Sequence, residues 1–231
     1  MTSLRTLSRV PIACLVRSPR PWITIIGLTL AAAFVVLAEK AHGATSTANH
    51  VMRGSFAFFV LPLVAYALST GVLGGRGLCR ATRGVVALGA SPVRSAFATT
   101  LVAALSSAMI CGLLAAGLCA FAHGPTDPPR ILDVPASFGV GVLGGATYAA
   151  FFLAGAAIGQ GSMRGVFLAF DWVVGSDGGG LAFFSPRGHV TSLLGGPLCA
   201  NLSARQSSIA LIVLAIAYAF AAVNLARRDR C

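Results

Sequence analysis

Long apolar runs recur along this chain, and each is close to the length that a helix needs to cross a lipid bilayer. A membrane-spanning helix takes about 20 mainly apolar residues, because the hydrocarbon core is about 30 Å thick. Only helices and closed barrels satisfy their backbone polar groups in lipid. The runs therefore predict an all-α polytopic membrane protein, with residues 1–231 forming a single transmembrane domain.

Composition excludes an ordinary soluble domain. Hydrophobic residues make up 56% of the chain and charged residues 10%, and the mean hydropathy is +0.84. The net charge of +11 comes from arginines beside the apolar runs and not from one soluble patch. We therefore interpret this charge first as a topology signal. Binding to nucleic acid would explain it poorly.

Six spans are predicted, and the fifth differs from the others. It contains Asp171 and is interrupted by the glycines 178–180, so we expect a broken span followed by short re-entrant helices before the last span. Pro62 is expected to kink the second span and to free a carbonyl that neighbours satisfy. The predicted spans are approximately residues 22–38, 55–75, 95–122, 134–158, 165–184 and 208–226.

The N-terminal stretch before the first span is basic and amphipathic. It predicts a surface helix broken near Pro11 and ending before Trp22, an aromatic residue at the expected membrane interface. A signal peptide with a cleavage site at Ala41-His42-Gly43 is the alternative interpretation.

Positive charge predicts the orientation. With six spans, twelve of the 17 Lys and Arg residues lie on one side, and Arg187 is among the remaining five on the other. Because cytoplasmic loops carry an excess of Lys and Arg, both termini are predicted to be cytoplasmic. Glu39, Asp127 and Asp133 fall in the predicted outer loops, together with Arg187.

The cytoplasmic link 76–94 carries four arginines and no acid: Arg76, Arg80, Arg83 and Arg94. At 100° per residue the first three fall on one line of a helix, opposite a face formed by Leu78, Ala81, Val85 and Leu88. This pattern is typical of an amphipathic helix on a membrane surface. Gly89 is expected to follow its C-terminus, and Ser91-Pro92 to begin the third span.

No motif of an enzyme or a metal site is present. The six cysteines form no CxxC pair, and we interpret them as apolar fillers or reduced thiols. No Walker A stretch occurs, so ATP hydrolysis would need another chain. An intramembrane serine protease needs a Gly-x-Ser-Gly setting, whereas Gly159-Gln-Gly-Ser162 has a different order. We therefore predict no catalytic residue and no metal site.

Several stretches together resemble the permease subunits of the type-2 ABC exporters. Val16-Arg-Ser-Pro-Arg20 resembles the basic stretch before the first span in that family, and residues 80–94 resemble its link after the second span. Residues 182–196 resemble its outer region before the last span, and residues 226–230 its basic ending. The link departs from the family pattern, because it lacks the usual Glu near Arg-Gly.

The resemblance implies a bacterial inner-membrane exporter. Its link would be a coupling helix through which Arg76, Arg80, Arg83 and Arg94 meet a separate ATP-binding cassette subunit, which holds the ATP and Mg. A second permease subunit, identical or different, would complete the pore. The alternative for the whole chain is a non-transport scaffold or sensor subunit, and the less favoured alternative for the link is a lipid-bound topology element. The substrate is not readable from the sequence.

Asp171 is the most unusual single residue, because an acid within a span costs about 3 kcal/mol on insertion scales. It is predicted to line a translocation path, or to position helices through Arg164 or Arg187. The alternative, which we favoured from the sequence, is that the break at Gly175 places Asp171 near the interface, where water solvates it.

Overall fold

The computed structural model describes residues 4–43, 47–158, 161–175 and 179–228, and these residues form a helical bundle without strands. The α-helices are α1 (Leu4–Arg17), α2 (Pro19–Ala41), α3 (Thr47–Val51), α4 (Leu61–Val72), α5 (Leu78–Ala87), α6 (Pro92–Ala122), α7 (Arg130–Ile158), α8 (Met163–Val174), α9 (Pro186–Leu193) and α10 (Ala204–Arg228). A π-helix (Met52–Val60) joins α3 to α4, and 3₁₀ turns lie at Gly180–Phe184 and Cys199–Asn201.

Five helices in the described part of the chain are long and apolar enough to cross a membrane. They are α2, the continuous helix Thr47–Val72, α6, α7 and α10. The all-α membrane class is thus supported, but the count of six spans is not. Of the predicted fifth span, the structure describes the 12-residue helix α8 and the 3₁₀ turn Gly180–Phe184. Helix α8 is about 18 Å long and too short to cross alone.

The second span begins eight residues earlier than predicted, at Thr47. The Asp127 carboxylate, in the loop between α6 and α7, accepts hydrogen bonds from the backbone N–H groups of Ala48 and Gly124, at 3.0 and 2.7 Å. The bond from Ala48 satisfies an N–H group at the helix start that would otherwise lack a partner. The acid thereby extends the helix into the predicted polar loop.

Two faces of the bundle can be distinguished. The proximal face carries the residues around α5 and the start of α2, and the distal face carries residues 42–43, 123–129 and 194–203. At the distal face Lys40 Nζ donates to the Phe121 carbonyl at 2.6 Å. At the proximal face the Ala226 carbonyl, near the end of α10, lies 3.8 Å from Cys79 Sγ in α5. The start of α2 and the end of α10 thus lie at the same face.

Helices α8 and α9 occupy successive depths. At the start of α8, Arg164 Nη1 donates to Thr70 Oγ1 at the proximal end of α4, at 3.2 Å. At its end, Gly175 lies against Arg187 in the first turn of α9. The turn after α9 reaches Asn49 at the distal face, through Gly195. The two short helices therefore follow each other through the bundle from one face to the other.

Helices α6 and α7 pack most closely, because glycines remove the side chains between them. A Cβ atom on Gly141 would lie 2.6 Å from the Cys111 carbonyl oxygen, and one on Gly145 would lie 2.5 Å from that of Ser107. Gly141 and Gly145 are four residues apart in the fourth predicted span, which is the GxxxG spacing. Small residues at such spacing allow backbones to approach in lipid, where no hydrophobic effect drives helices together.

Helix α1 is continuous through Pro11, so the predicted break there is wrong. Proline removes one backbone hydrogen bond from a helix interior. Side-chain packing compensates, since Leu7 is buried with Ala90 and Ala98, and Leu15 is buried in the main core.

Candidate functional site

The Phe58 carbonyl, in the second span, lacks the helical donor four residues later. Pro62 follows Phe58 by four residues and has no N–H, so it cannot bond to the Phe58 carbonyl as a helix requires. The helix is of π type over this segment. The Phe58 carbonyl instead accepts from Trp172 Nε1 at 3.2 Å and from Arg187 Nη2 at 3.1 Å. Neighbouring side chains therefore satisfy it, as expected for Pro62.

Asp171, in α8, lies at the centre of a buried group that we call the ionic cluster: Tyr148, Asp171, Ser185 and Arg187. Its carboxylate accepts from Tyr148 Oη at 2.8 Å and from Ser185 Oγ at 2.6 Å. It also accepts from Arg187 twice, from Nε at 3.1 Å and from the backbone N–H at 3.3 Å. The carboxylate thus accepts four hydrogen bonds, which come from three other residues.

Arg187 is held on several sides. Besides Asp171 and the Phe58 carbonyl, its guanidinium carbon lies 4.1 Å from the Phe58 ring centroid and 5.9 Å from that of Trp172. Arginine stacks on aromatic faces through cation–π attraction, which is stronger where water is excluded. The Phe58 and Trp172 rings are themselves nearly parallel, at 6°. The guanidinium is therefore fixed in position by charge, hydrogen bonding and stacking.

Burial of the ion pair corrects two expectations. The Asp171 and Arg187 side chains are 0% and 2% exposed, so Asp171 is not solvated near an interface. Arg187 does not lie in an outer loop either. A lone buried charge is costly, and a partner with good geometry recovers that cost. The break in the chain places Ser185 and Arg187 back beside Asp171, and this folding back is what removes the carboxylate from water.

Arg164, the other arginine considered as a partner of Asp171, is buried at the proximal end of α8. Its Nε donates to the Gly161 carbonyl at 3.0 Å, and its Nη1 donates to Thr70. Seven residues separate it from Asp171, which is about 10 Å along a helix. Of the two arginines, only Arg187 contacts Asp171.

The four arginines of the link are exposed, and none forms an ion pair with another described residue. Arg80 and Arg83 lie on α5, whereas Arg76 precedes that helix and Arg94 lies in the first turn of α6. Only Arg80 and Arg83 therefore share one helix, which is a shorter basic surface than the sequence predicted.

The opposite side of α5 is only partly covered by protein. Leu78 and Thr82 are buried, Ala81 and Val85 are half-buried, and Leu88 is 88% exposed. Gly89 follows the helix end with φ of +87°, a conformation that glycine adopts easily. Ser91 precedes α6 as its N-cap and Pro92 is in its first turn, as expected.

No group of His, Cys, Asp and Glu that could hold a metal ion occurs in the described part of the chain. Cys14, Cys111, Cys119 and Cys199 are free. Cys79, however, is disulfide-bonded, which corrects its interpretation as a reduced thiol. Asp177, interpreted from the sequence as a turn residue, lies outside the described residues.

Two side chains of the site, those of Tyr148 and Ser185, did not emerge from the sequence. Tyr148 lies in a span of mainly small and apolar residues, where a buried phenol needs a partner. The Phe58 carbonyl is indicated by the position of Pro62 four residues later. Ser185 has no comparable signal, because its position depends on how the break folds back. No family model, curated protein or solved structure matches this chain.

Proposed function

We propose that this chain is the membrane-spanning permease subunit of an exporter that is driven by a separate ATP-binding cassette subunit. The observation that carries the proposal is helix α5. It projects Arg80 and Arg83 from the bundle while Leu78 and Thr82 anchor it among the spans. A partner with acidic groups facing these arginines would dock on this helix.

The anchoring of α5 would connect such docking to the spans. Helix α5 contacts α6, α7 and α10, and Thr82 Oγ1 donates to the Leu78 carbonyl at 3.1 Å. Leu78 is fully buried in the main core. A displacement of α5 by a bound ATPase would therefore press directly on three long helices. Rigid-body movement of packed helices is a common way in which closure at one site changes access at another.

We further propose that α8 and α9 together form a sixth, discontinuous crossing. Five long helices alone would place the chain ends at opposite faces, whereas the start of α2 and the end of α10 share the proximal face. Broken helices are tolerated at membrane depth where protein covers their free backbone groups. With the arginine-rich segments at the proximal face, the positive-inside rule makes this face cytoplasmic.

A six-crossing subunit of this kind is half of a pore in the proposed assembly. A second permease subunit, a copy of this chain or a different one, would complete it, and the lipid bilayer would surround both. ATP and Mg would be bound by the cassette subunits, and this chain would form part of the path of the substrate.

Co-purification tests the proposal. The full chain is purified in mild detergent from its native membrane, and the associated proteins are identified and quantified. A cassette ATPase should be recovered at about one copy per permease chain. If the wild-type chain brings down no such ATPase, the exporter proposal is wrong, and the scaffold or sensor alternative takes its place.

Charge reversal then tests the role of α5. The Arg80→Glu/Arg83→Glu variant should lose the ATPase, while Arg130→Glu/Arg205→Glu, which reverses two exposed arginines of the distal face, should retain it. Labelling of Gly84→Cys verifies orientation, since a side chain there meets no other atom within 4 Å. Retention of the ATPase by the α5 variant, with Gly84→Cys still labelled from the cytoplasm, would show that α5 is not the docking site.

A further inference from the structure

A small cavity lies on the distal side of the ionic cluster. Its volume is about 120 Å³, and its lining includes Arg53, Phe58, Arg187, Thr191 and Pro197. Arg53 precedes Phe58 by five residues in the second span, on the side of the distal face. The cavity thus extends from the buried pair towards the distal surface, where Arg53 and Pro197 are exposed.

The lining carries uncompensated positive charge. Arg187 is balanced by Asp171, whereas Arg53 forms no ion pair with any described residue. No acidic residue is among the described residues that line the cavity. Two guanidinium groups therefore share one small space with a single carboxylate, which lies behind Arg187. The local field in such a cavity attracts an anion and repels a cation.

One donor of Arg187 has no protein acceptor among the described residues. Nε and Nη2 are bonded to Asp171 and Phe58, but the buried Nη1 is not hydrogen-bonded. An unsatisfied buried donor of a charged group is costly, and native proteins rarely leave one. The unpaired Nη1 belongs to a side chain that lines the cavity, and an acceptor that reached it from there would satisfy it.

We propose that this cavity binds an oxyanion, a phosphate or carboxylate group, between Arg53 and Arg187. Guanidinium groups bind these groups through charge-assisted hydrogen bonds. Thr191 also lines the cavity, and its hydroxyl is an uncharged group that can donate to the anion. A volume of about 120 Å³ suits a headgroup-sized anion and not a bulky substrate. The anion comes either from solution or from the headgroup of an acidic lipid of the distal leaflet, and the chemistry of recognition is the same for both.

Ligand-dependent thermal stability of the purified full chain tests this site. In one arm, inorganic phosphate is titrated into chain held in phosphatidylcholine nanodiscs, with sodium chloride used to keep ionic strength constant. In the other, phosphatidylcholine nanodiscs are compared with mixed phosphatidylcholine and phosphatidylglycerol nanodiscs without phosphate. The wild-type chain should melt at higher temperature with the anion. Arg53→Gln should raise the anion concentration needed for half of this shift by about tenfold or more, because it removes a charge-assisted contact.

Arg130→Gln is the matched control, since it neutralises another exposed arginine near the distal face that does not line the cavity. A phosphate-dependent shift that Arg53→Gln loses and Arg130→Gln keeps supports the site with a soluble anion. The same pattern with phosphatidylglycerol alone supports it with a lipid headgroup. No shift in either arm, or equal shifts in wild type and Arg53→Gln, overturns the proposal. Equal loss in both variants also overturns it, because it would indicate a general surface effect.

Discussion

Removing one charge of the Asp171–Arg187 pair should destabilise the bundle more than any exposed substitution. In Asp171→Asn the guanidinium stays charged, because arginine keeps its proton in proteins. The Asp171 carboxylate accepts four hydrogen bonds. An asparagine amide has a single acceptor oxygen, so it can keep only the bonds to that oxygen. Its NH₂ group then lies opposite groups that are themselves donors. Loss of one member of a buried pair costs about 3–5 kcal/mol, and we expect this range here.

The opposite substitution should cost less. In Arg187→Met the carboxylate keeps the hydrogen bonds from Tyr148, Ser185 and the backbone N–H of residue 187. We expect a loss of about 2–3 kcal/mol. In the double variant neither charge remains, so its destabilisation should be smaller than the sum of the two single effects by at least about 2 kcal/mol.

Reversible unfolding of the four proteins in mixed micelles, titrated with sodium dodecyl sulfate and followed by circular dichroism, measures these differences. Trp172, stacked on Phe58 beside Arg187, adds a local fluorescence signal. Arg205→Gln, an exposed arginine of the distal side, is the control and should change stability by less than about 0.5 kcal/mol. A free energy of unfolding of Asp171→Asn equal to that of this control, or single effects that simply add in the double variant, would refute the role of the ion pair.

Two further predictions concern backbone contacts. Gly145→Ala should separate α6 from α7 and lower stability by about 2 kcal/mol, because its Cβ would lie 2.5 Å from the Ser107 carbonyl oxygen; Gly139→Ala, with open space at its Cβ, should be neutral or slightly stabilising in the same unfolding assay. Equal effects of the two substitutions would show that the close approach is not what the glycine provides. Pro62→Ala restores an N–H that competes for the Phe58 carbonyl, so it should weaken the bonds from Trp172 and Arg187. A change in Trp172 fluorescence at nearly unchanged helix content is expected, and a spectrum identical to wild type would contradict it.

The sequence predicted the class of fold and most helix positions, because the hydropathy of each stretch depends only on the residues of that stretch. It also indicated that Pro62 would free a carbonyl, since that follows from the chemistry of one residue. It failed where the chain folds back on itself. Asp171 and Arg187 are sixteen residues apart, and their pairing depends on how the chain brings Ser185 and Arg187 back to α8. No periodicity encodes that return, so the sequence favoured a solvated acid and assigned Arg187 to an outer loop.

Helix ends were predicted unevenly for a similar reason. Gly89 and Ser91-Pro92 mark their boundaries through local backbone preference. The start at Thr47 depends instead on Asp127, which is distant in sequence and caps that helix from another loop. The position of Arg76 outside α5 follows from Gly77, which has extended backbone angles and begins the helix one residue later.

In the proposed sixth crossing, α8 and α9 are two short rods with a joint between them, where a single long helix would have none. At that joint the rods are tied by an ion pair and by one spare carbonyl of a neighbouring helix, and not by a continuous ladder of backbone hydrogen bonds. The distal rod can therefore tilt against the proximal one by exchanging a few side-chain contacts. A displacement of the proximal end, which bears the arginines, would reach the distal rod only if those few contacts hold.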